Sequence, residues 1–447
     1  MSAAWNVQGR VAIVGGGLAG SMLALALARR GVAVDVYERR PDPRVRSLEA
    51  GRSINLGLSK RGMRALESVG LLEEVLASAV TMRGRVIHAP DGSTRFQPYG
   101  KDAGEVLHSI DRNELNHLLL DHAQRHPQVK LHFEHRLVRV DRGERELELD
   151  CNGETVTARP AWVVGADGAF SSMRRELQHG MRADYHQEFL DWGYKELTLA
   201  ARPDGSSVVD LTALHVWPRS DCFFVSHPNR DGSHTLTLFL PFEGRESFAS
   251  LKTPDDVASL FTRYFPDLVP LLPGLLEEWA LHPTGSLITT RTAPWAFDDW
   301  AVLVGDACHA VYPFYGQGMN SAFEDCCVLM QALDEHAGDT ARAFDAYEAA
   351  RRPHTDVLAE LSKANFEELR RKVQSPWFLA RKRLDVALNR LFPHGWMPLY
   401  TMIAHTTMPY GDALARSRRQ GTIVVGGAIA VLAGLGSGLA YAWARLS

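Results

Sequence analysis

Residues 11–38 read VAIVGGGLAGSMLALALARRGVAVDVYE. Four apolar residues, Val11 to Val14, give way to glycines, then to an Ala/Leu-rich run over 18–29, then to a second apolar stretch over 32–37 that ends at Glu38. That order is strand, turn, helix, strand, acid. Gly15, Gly17 and Gly20 form G-x-G-x-x-G at the first turn, and Glu38 follows eighteen residues after Gly20. The turn is tight, and a Cβ there would hold a pyrophosphate away from the free N–H groups and positive end of the helix. In this context the motif predicts a dinucleotide site, with Glu38 on a ribose. Glu38 favours a free 2'-hydroxyl, whereas Arg39 and Arg40 beside it could accept a 2'-phosphate, so FAD, NAD and NADP all remain open.

Two later stretches repeat part of this logic. WVVGADGAFSS (162–172) and AVLVGDACHAVYPFYGQGMN (301–320) each read as a short buried strand that ends in Gly and Asp, where open α/β sheets bind ligands. In the second, Pro313 and the glycines around Gln317 precede a helix starting near Asn320, which aims another helix N-terminus at the same place. A lone Gly-Asp pair is an ordinary turn; two of them after buried strands point to one shared ligand. Between these blocks, 194–198, 211–217, 222–226 and 234–242 read as successive strands of an inserted antiparallel sheet. Directly after the first unit, GRSINLGLSKRG (51–62) alternates as a strand, closed by Lys60, Arg61 and Gly62. The expected architecture is α/β: a Rossmann-like nucleotide-binding domain over 1–185, with 76–101 contributing to the substrate side. A substrate-binding sheet domain follows over 186–285, a return to the first domain over 286–350, and a helical region over 351–415.

The chain has 447 residues, 45% apolar and 23% charged, with a net charge of -4, which suits a globular protein of two or three domains. That balance gives no electrostatic footprint for nucleic acid. Five cysteines, at 151, 222, 308, 326 and 327, make no metal-binding spacing, and no H-E-x-x-H occurs, so no metal is expected. The thiols read as reduced and intracellular, and no signal peptide precedes the first strand. Residues 416–447 differ: twenty-four uncharged residues over 421–444 follow Arg416, Arg418 and Arg419. This predicts a membrane anchor with the catalytic part held in the cytoplasm, the alternatives being a buried helix or a glycine-rich tail.

With G-x-G-x-x-G and Glu38, then Asp167 and Gly168, then Gly305 and Asp306, the chain resembles the single-component aromatic hydroxylases of the flavoprotein monooxygenase superfamily. GRSINLGLSKRG, MRGRVIH (82–88), PYG (98–100), GYKEL (193–197), LHVWPR (214–219), TLTLFLPF (235–242), PFYGQGMNSAFED (313–325) and PLYTM (398–402) narrow it. Together they resemble the kynurenine 3-monooxygenases over nearly the whole chain, and the apolar tail resembles the anchor of the eukaryotic members. The resemblance implies bound FAD, transient NADPH, and O2-dependent hydroxylation of L-kynurenine beside its aniline nitrogen through a flavin hydroperoxide. An aniline is already an activated ring, so the protein must position it and exclude water more than supply a strong base.

The resemblance also selects residues. Gly15, Gly17, Ala19 and Gly20 would cradle the pyrophosphate, Glu38 with Arg39 and Arg40 the adenosine end, and Gly57, Arg112, Leu137, Asp167, Asp306, Gly318, Met319 and Asn320 the rest of FAD. On the substrate side, Arg85, Tyr99, Asn365 and Tyr400 would hold the amino-acid end, because a carboxylate suits a planar cationic fork. Arg83 and Arg85 alternate on one strand and are expected to share a face. Phe239, Pro313 and Phe314 would line the ring pocket, and Cys308 is expected to be a small buried residue. Two rivals stand beside this reading: another membrane-bound flavoprotein, such as a lipid epoxidase or reductase, and a non-enzymatic FAD-stabilised membrane protein.

Overall fold

A computed structural model describes residues 5, 7–45, 55–102, 104–372, 376–393 and 395–426. The strand Val11–Val14 is buried along its whole length and pairs in parallel with Val34–Tyr37 on one side and Val163–Gly165 on the other. The sheet continues to Val129–His132 at one edge and, through Ala301–Leu303, to Ala296–Phe297 at the other; only this last pair is antiparallel. Strands covered on both faces need apolar residues at every position, which is why VAIV and AVL do not alternate. The helix Leu18–Ala28 buries nine of its residues between the sheet and the helices Arg112–Gln124 and Gly318–Glu335. Gly15 has φ +109°, a conformation that side chains resist, and a Cβ on Gly20 would stand 1.9 Å from the Gly15 carbonyl oxygen. Both glycines are required by the fold before any ligand is considered.

The second large sheet has seven strands, in the order Gly285–Ala293, Asp184–Leu199, His234–Pro241, Phe223–Pro228, Ala213–Pro218, Gly84–His88 and Thr94–Pro98. Its two faces are used differently. Leu197, Trp217, Phe224, Leu236 and Leu238 pack on the helix Pro254–Tyr264 through Val257, Leu260 and Phe261. That helix starts with a reciprocal cap, Thr253 and Asp256 bonding each other's backbone N–H, with Pro254 at its first position; such caps contribute about 1 kcal/mol. On the other face Ile87, Val216, Phe223 and Phe239 meet Tyr312 and Phe366 from the chain that returns from the flavin side.

Three local expectations change. Lys60, Arg61 and Gly62 do not close a strand; the strand is Asn55–Leu58, and these residues open the helix Lys60–Ser68. The reason is burial: Arg61 is 2% exposed, paired with Glu324 at 2.6 Å and stacked on Tyr410, and a Cβ at Gly62 would collide with Asn320. Arg83 lies just outside the strand Gly84–His88, exposed, while Arg85 faces inward, so the two do not share an environment. Residues 427–444 of the apolar run lie outside the described residues; residues 410–426 are helical, and among the described residues no helix is long and apolar enough to cross a membrane.

Candidate active site

The cofactor side is built from backbone. A Cβ placed on Gly17 or Gly57 would meet nothing within 4 Å, so both face open space, and Gly318 does the same at the start of its helix. Leu18–Ala28 and Gly318–Glu335 thus bring two N-termini beside the turn that holds Gly15. Ala19 packs here as well, 3.3 Å from where a Cβ on Gly305 would lie. Glu38 accepts from the Gly16 N–H at 2.8 Å and from Arg40 Nε at 2.8 Å; burial opposes its charge, yet Arg40 and these bonds hold its carboxyl below the ordinary value. Arg39 is exposed beside it.

Asp306 is solvent-accessible yet walled in: burial raises its carboxyl, and His309 and Arg112 pull it back. Arg112, exposed at the start of its helix, therefore stands within electrostatic reach of Asp306, the pair expected to meet the cofactor's ribityl and phosphate groups. Met319 follows Gly318 at the helix start, half-buried. The Asn320 side chain has another task, accepting from Ser59 N–H at 2.9 Å and donating to the Gly57 carbonyl at 2.8 Å, which pins the Gly57 strand to the helix. Asp167 likewise spends its carboxylate on Ser171 Oγ and the Met173 N–H, capping the helix Ser172–Gln178. Leu137 buries its side chain in the core opposite Leu149, which leaves only its backbone for a ligand.

On the substrate side the structure joins residues far apart in sequence. Arg85 lies over the rings of Tyr400 (5.3 Å) and Tyr99 (5.9 Å), and those two rings stack at 5.8 Å. Burial lifts the phenols of Tyr99 and Tyr400 above the ordinary value, so both remain neutral donors. No carboxylate lies within ion-pair distance of Arg85 among the described residues, although Glu368 is within its electrostatic reach. Tyr315 stacks on Tyr400 at 6.0 Å. Its neighbour Phe314 lies 5.1 Å from Phe239 and 4.8 Å from Phe366, and accepts at its carbonyl from Asn365 Nδ2 at 2.6 Å. Pro313 opens this turn and is exposed. One segment, 313–320, thus carries ring-wall residues at its start and cofactor-side N–H groups at its end.

Sequence reading missed Tyr315, Phe223, Phe366 and Glu368. Tyr315 stood inside PFYGQG, Phe366 adjoins Asn365, and Phe223 shares the face of Val225 by alternation; Glu368 had no signal, because it follows a helix end that turns with π geometry. Behind the cofactor loop lies a further group. Asp325 accepts from the Gly305 N–H at 3.0 Å, from His309 at 2.5 Å and from Arg351 at 2.7 Å, while Glu324 bridges Arg351 and Arg61. Cys308, His309 and Asp325 could geometrically ligate a metal. Arg351 already supplies the cation, and burial pushes the Cys308 thiol well above its ordinary range.

A glycine-lined strand-to-helix turn in a parallel sheet, with a second sheet carrying an arginine–tyrosine cluster and an aromatic wall, is the architecture of the FAD-binding aromatic hydroxylases. Residues 8–362 match the family model described as FAD binding domain. Curated relatives from Salinispora tropica (55% identical over 93% of this chain and 92% of the relative) and Xanthomonas campestris pv. campestris strain 8004 (43% over 95% and 93%) are both named kynurenine 3-monooxygenase. The chain belongs to this kynurenine 3-monooxygenase family. Among solved structures, it is similar to 2-methyl-3-hydroxypyridine-5-carboxylic acid oxygenase (TM-score 0.67, 24% identical, covering 83% of this chain and 95% of that one), a likeness of fold. It is also similar to Pseudomonas aeruginosa PqsL in complex with 2-aminobenzoylacetate (TM-score 0.67, 25% identical, covering 83% and 99%).

Proposed function

We propose that this protein is an FAD-dependent monooxygenase that hydroxylates L-kynurenine to 3-hydroxykynurenine, consuming NADPH and O2. The observation that carries this reading is Arg85, half-buried over the stacked rings of Tyr99 and Tyr400 and on the sheet face that carries a wall of phenylalanines. A guanidinium with no ion-paired carboxylate among the described residues, next to an aromatic wall, suits a ligand with a carboxylate at one end and an aryl ring at the other. Arg85 grips the carboxylate in a fork, the Tyr99 and Tyr400 hydroxyls add hydrogen bonds, and Glu368 faces the ammonium. Phe239, Phe314 and Phe366 hold the ring and exclude water; Asn365 fixes the Phe314 turn and so acts through it.

Gly17, Gly57 and Gly318 fit FAD, because each leaves open space where a Cβ would stand and two of them start helices, while Gly15 and Gly20 make the tight turn that brings the first helix N-terminus there. Glu38 takes the adenosine ribose, and Asp306 and Arg112 the ribityl chain and phosphates. The chemistry that FAD supplies is activation of O2 after reduction by NADPH. A PqsL ligand that is itself an ortho-aminoaryl ketone with a carboxylate supports the same substrate outline. The test is NADPH and O2 consumption with and without L-kynurenine, with the product identified by mass. Stimulation without a hydroxylated product, or no stimulation, defeats the reading; a lipid-acting flavoprotein would also keep its activity in Arg85→Ala.

Membrane attachment is a separate proposal, supported by the uncharged run at 421–444 and its basic flank. Deleting 416–447 should move the protein from the membrane to the soluble fraction; an unchanged distribution refutes it.

A further inference from the structure

His227 lies on the face of the seven-stranded sheet that carries the aromatic wall. Its strand, Phe223–Pro228, alternates between faces: Phe224 packs in the core behind the sheet and Ser226 bonds His234 there, while Phe223 and Val225 face the aromatic wall. By that alternation His227 shares the face of the aromatic wall. Register places it beside Thr235, with Val225 beside Thr237 and Phe223 beside Phe239. On its other side the next strand presents Leu214, the register partner of Arg85. At ~4.8 Å per strand, the His227 backbone lies roughly 10 Å from that of Arg85. An aryl keto amino acid spans such a gap once the Arg85 side chain has met its carboxylate.

The imidazole is half-buried, and burial alone pulls it down to about 4. Its ring makes no hydrogen bond or ion pair with the described residues, unlike His88, His215 and His234 behind the sheet, which bond one another or their neighbours. At neutral pH it is uncharged, offering one donor and one acceptor and adding no second cation to the Arg85 site.

We propose that His227 contacts the substrate and sets its specificity, its unprotonated ring nitrogen accepting a hydrogen bond from the ring amine of an ortho-aminoaryl ketone. This deepens the kynurenine reading above and rests on it. The direction of the bond matters. Accepting from the amine N–H leaves the nitrogen lone pair in conjugation and raises electron density at the ring carbon to be hydroxylated; donating to that nitrogen would withdraw it. The ketone oxygen remains free for the amine's other hydrogen.

The test uses the FAD-loaded enzyme with L-kynurenine and the analogue that lacks only the ring amine. Ligand Kd is read from the flavin absorbance change, and kcat and hydroxylated product per NADPH are read with kynurenine. Wild type should bind kynurenine more tightly than the analogue. His227→Leu should weaken kynurenine binding by about five- to tenfold, the range of one neutral hydrogen bond, and leave analogue binding unchanged or tighter. It should also lower kcat. His227→Gln, which keeps an acceptor, should recover part of the preference and confirms that a fold defect is not the cause. Equal weakening of both ligands in His227→Leu, or an unchanged ratio between them in both variants, overturns the proposal while leaving the kynurenine reading intact. A wild type blind to kynurenine overturns both.

Discussion

Two arginines lie deep in this molecule and differ in what surrounds them. Arg351 is 3% exposed and meets Asp325 at 2.7 Å, Glu324 at 2.5 Å and Ser321 Oγ at 2.9 Å. Every face of its guanidinium is answered by the protein itself. Arg85 instead lies over two tyrosine rings with no carboxylate at ion-pair distance among the described residues. Burying a cation is costly unless it is paired, which is why the proposed function gives Arg85 a ligand. On that reading, pairing separates an arginine that holds the fold from one that holds a substrate.

Replacing each by methionine should therefore produce opposite phenotypes. Arg351→Met takes from Asp325 and Glu324 the guanidinium they share and leaves only His309 and Arg61 beside them among the described residues, which costs about 3–5 kcal/mol of stability. Asp325 also accepts from Gly305 N–H, so the loop carrying Asp306 loosens and FAD content falls with it. Urea unfolding and flavin-to-protein absorbance check both; a variant as stable and as yellow as wild type would break the comparison from the Arg351 side. Arg85→Met should change unfolding free energy by less than about 1 kcal/mol while raising the kynurenine Kd on the order of 100-fold, the worth of a charge-assisted fork. Arg85→Lys keeps the charge and loses the fork, so it should fall between the two. A loss of stability in Arg85→Met matching that of Arg351→Met would mean that the clamp is scaffold.

The same contrast explains what could be read from the chain. The proposed cofactor cradle is local: Gly15, Gly17, Gly20 and Glu38 lie within one βαβ unit, where Gly15 and Gly20 allow the tight turn and Gly17 leaves open space at a helix N-terminus. Spacing reveals that. The clamp is non-local, with Arg85 on a strand, Tyr99 after the next strand, Glu368 at a helix end and Tyr400 in a helix beyond. No period or spacing links these positions, and only family resemblance brought Arg85, Tyr99 and Tyr400 together in advance. Arg61 shows the limit from the other side. A run of Ser59, Lys60, Arg61 and Gly62 reads as a polar stop, whereas Glu324 and Tyr410, hundreds of residues away, make Arg61 a core residue.

The glycines sharpen the contrast at smaller amplitude. Gly17→Ala adds a methyl group into open space, so the apo protein should keep its stability, while FAD binding weakens about tenfold, or ~1.4 kcal/mol, because that space is the cofactor's. Gly20→Ala adds one 1.9 Å from a carbonyl oxygen and should fail to accumulate as folded protein. Titration with FAD monitored by flavin fluorescence, alongside apo melting curves, separates the two; equal FAD affinity in Gly17→Ala and wild type would remove Gly17 from the cradle.

The smallest effect is in pH. Burial alone would raise the Asp325 carboxyl, but His309 and Arg351 outweigh it and hold the folded value below the ordinary 3.8. A carboxyl depressed on folding contributes stability that is complete above its unfolded value and is lost as pH falls through the folded one. Wild-type melting temperature should therefore drop on acidification below about pH 4, with Glu38 adding to the same slope because Arg40 holds it below 4.5. In Arg351→Met the burial of Asp325 is no longer opposed by the guanidinium, so its folded value rises toward or past the unfolded one. Its share of the acid sensitivity should then vanish, and the melting curve against pH should be flatter than in wild type although it starts lower. In Arg85→Met, which touches no depressed carboxyl, the slope should match wild type. Parallel slopes in all three proteins would show that the Arg351–Asp325 contact contributes no net charge stabilisation, and the distinction between the two arginines would then rest on ligand binding alone.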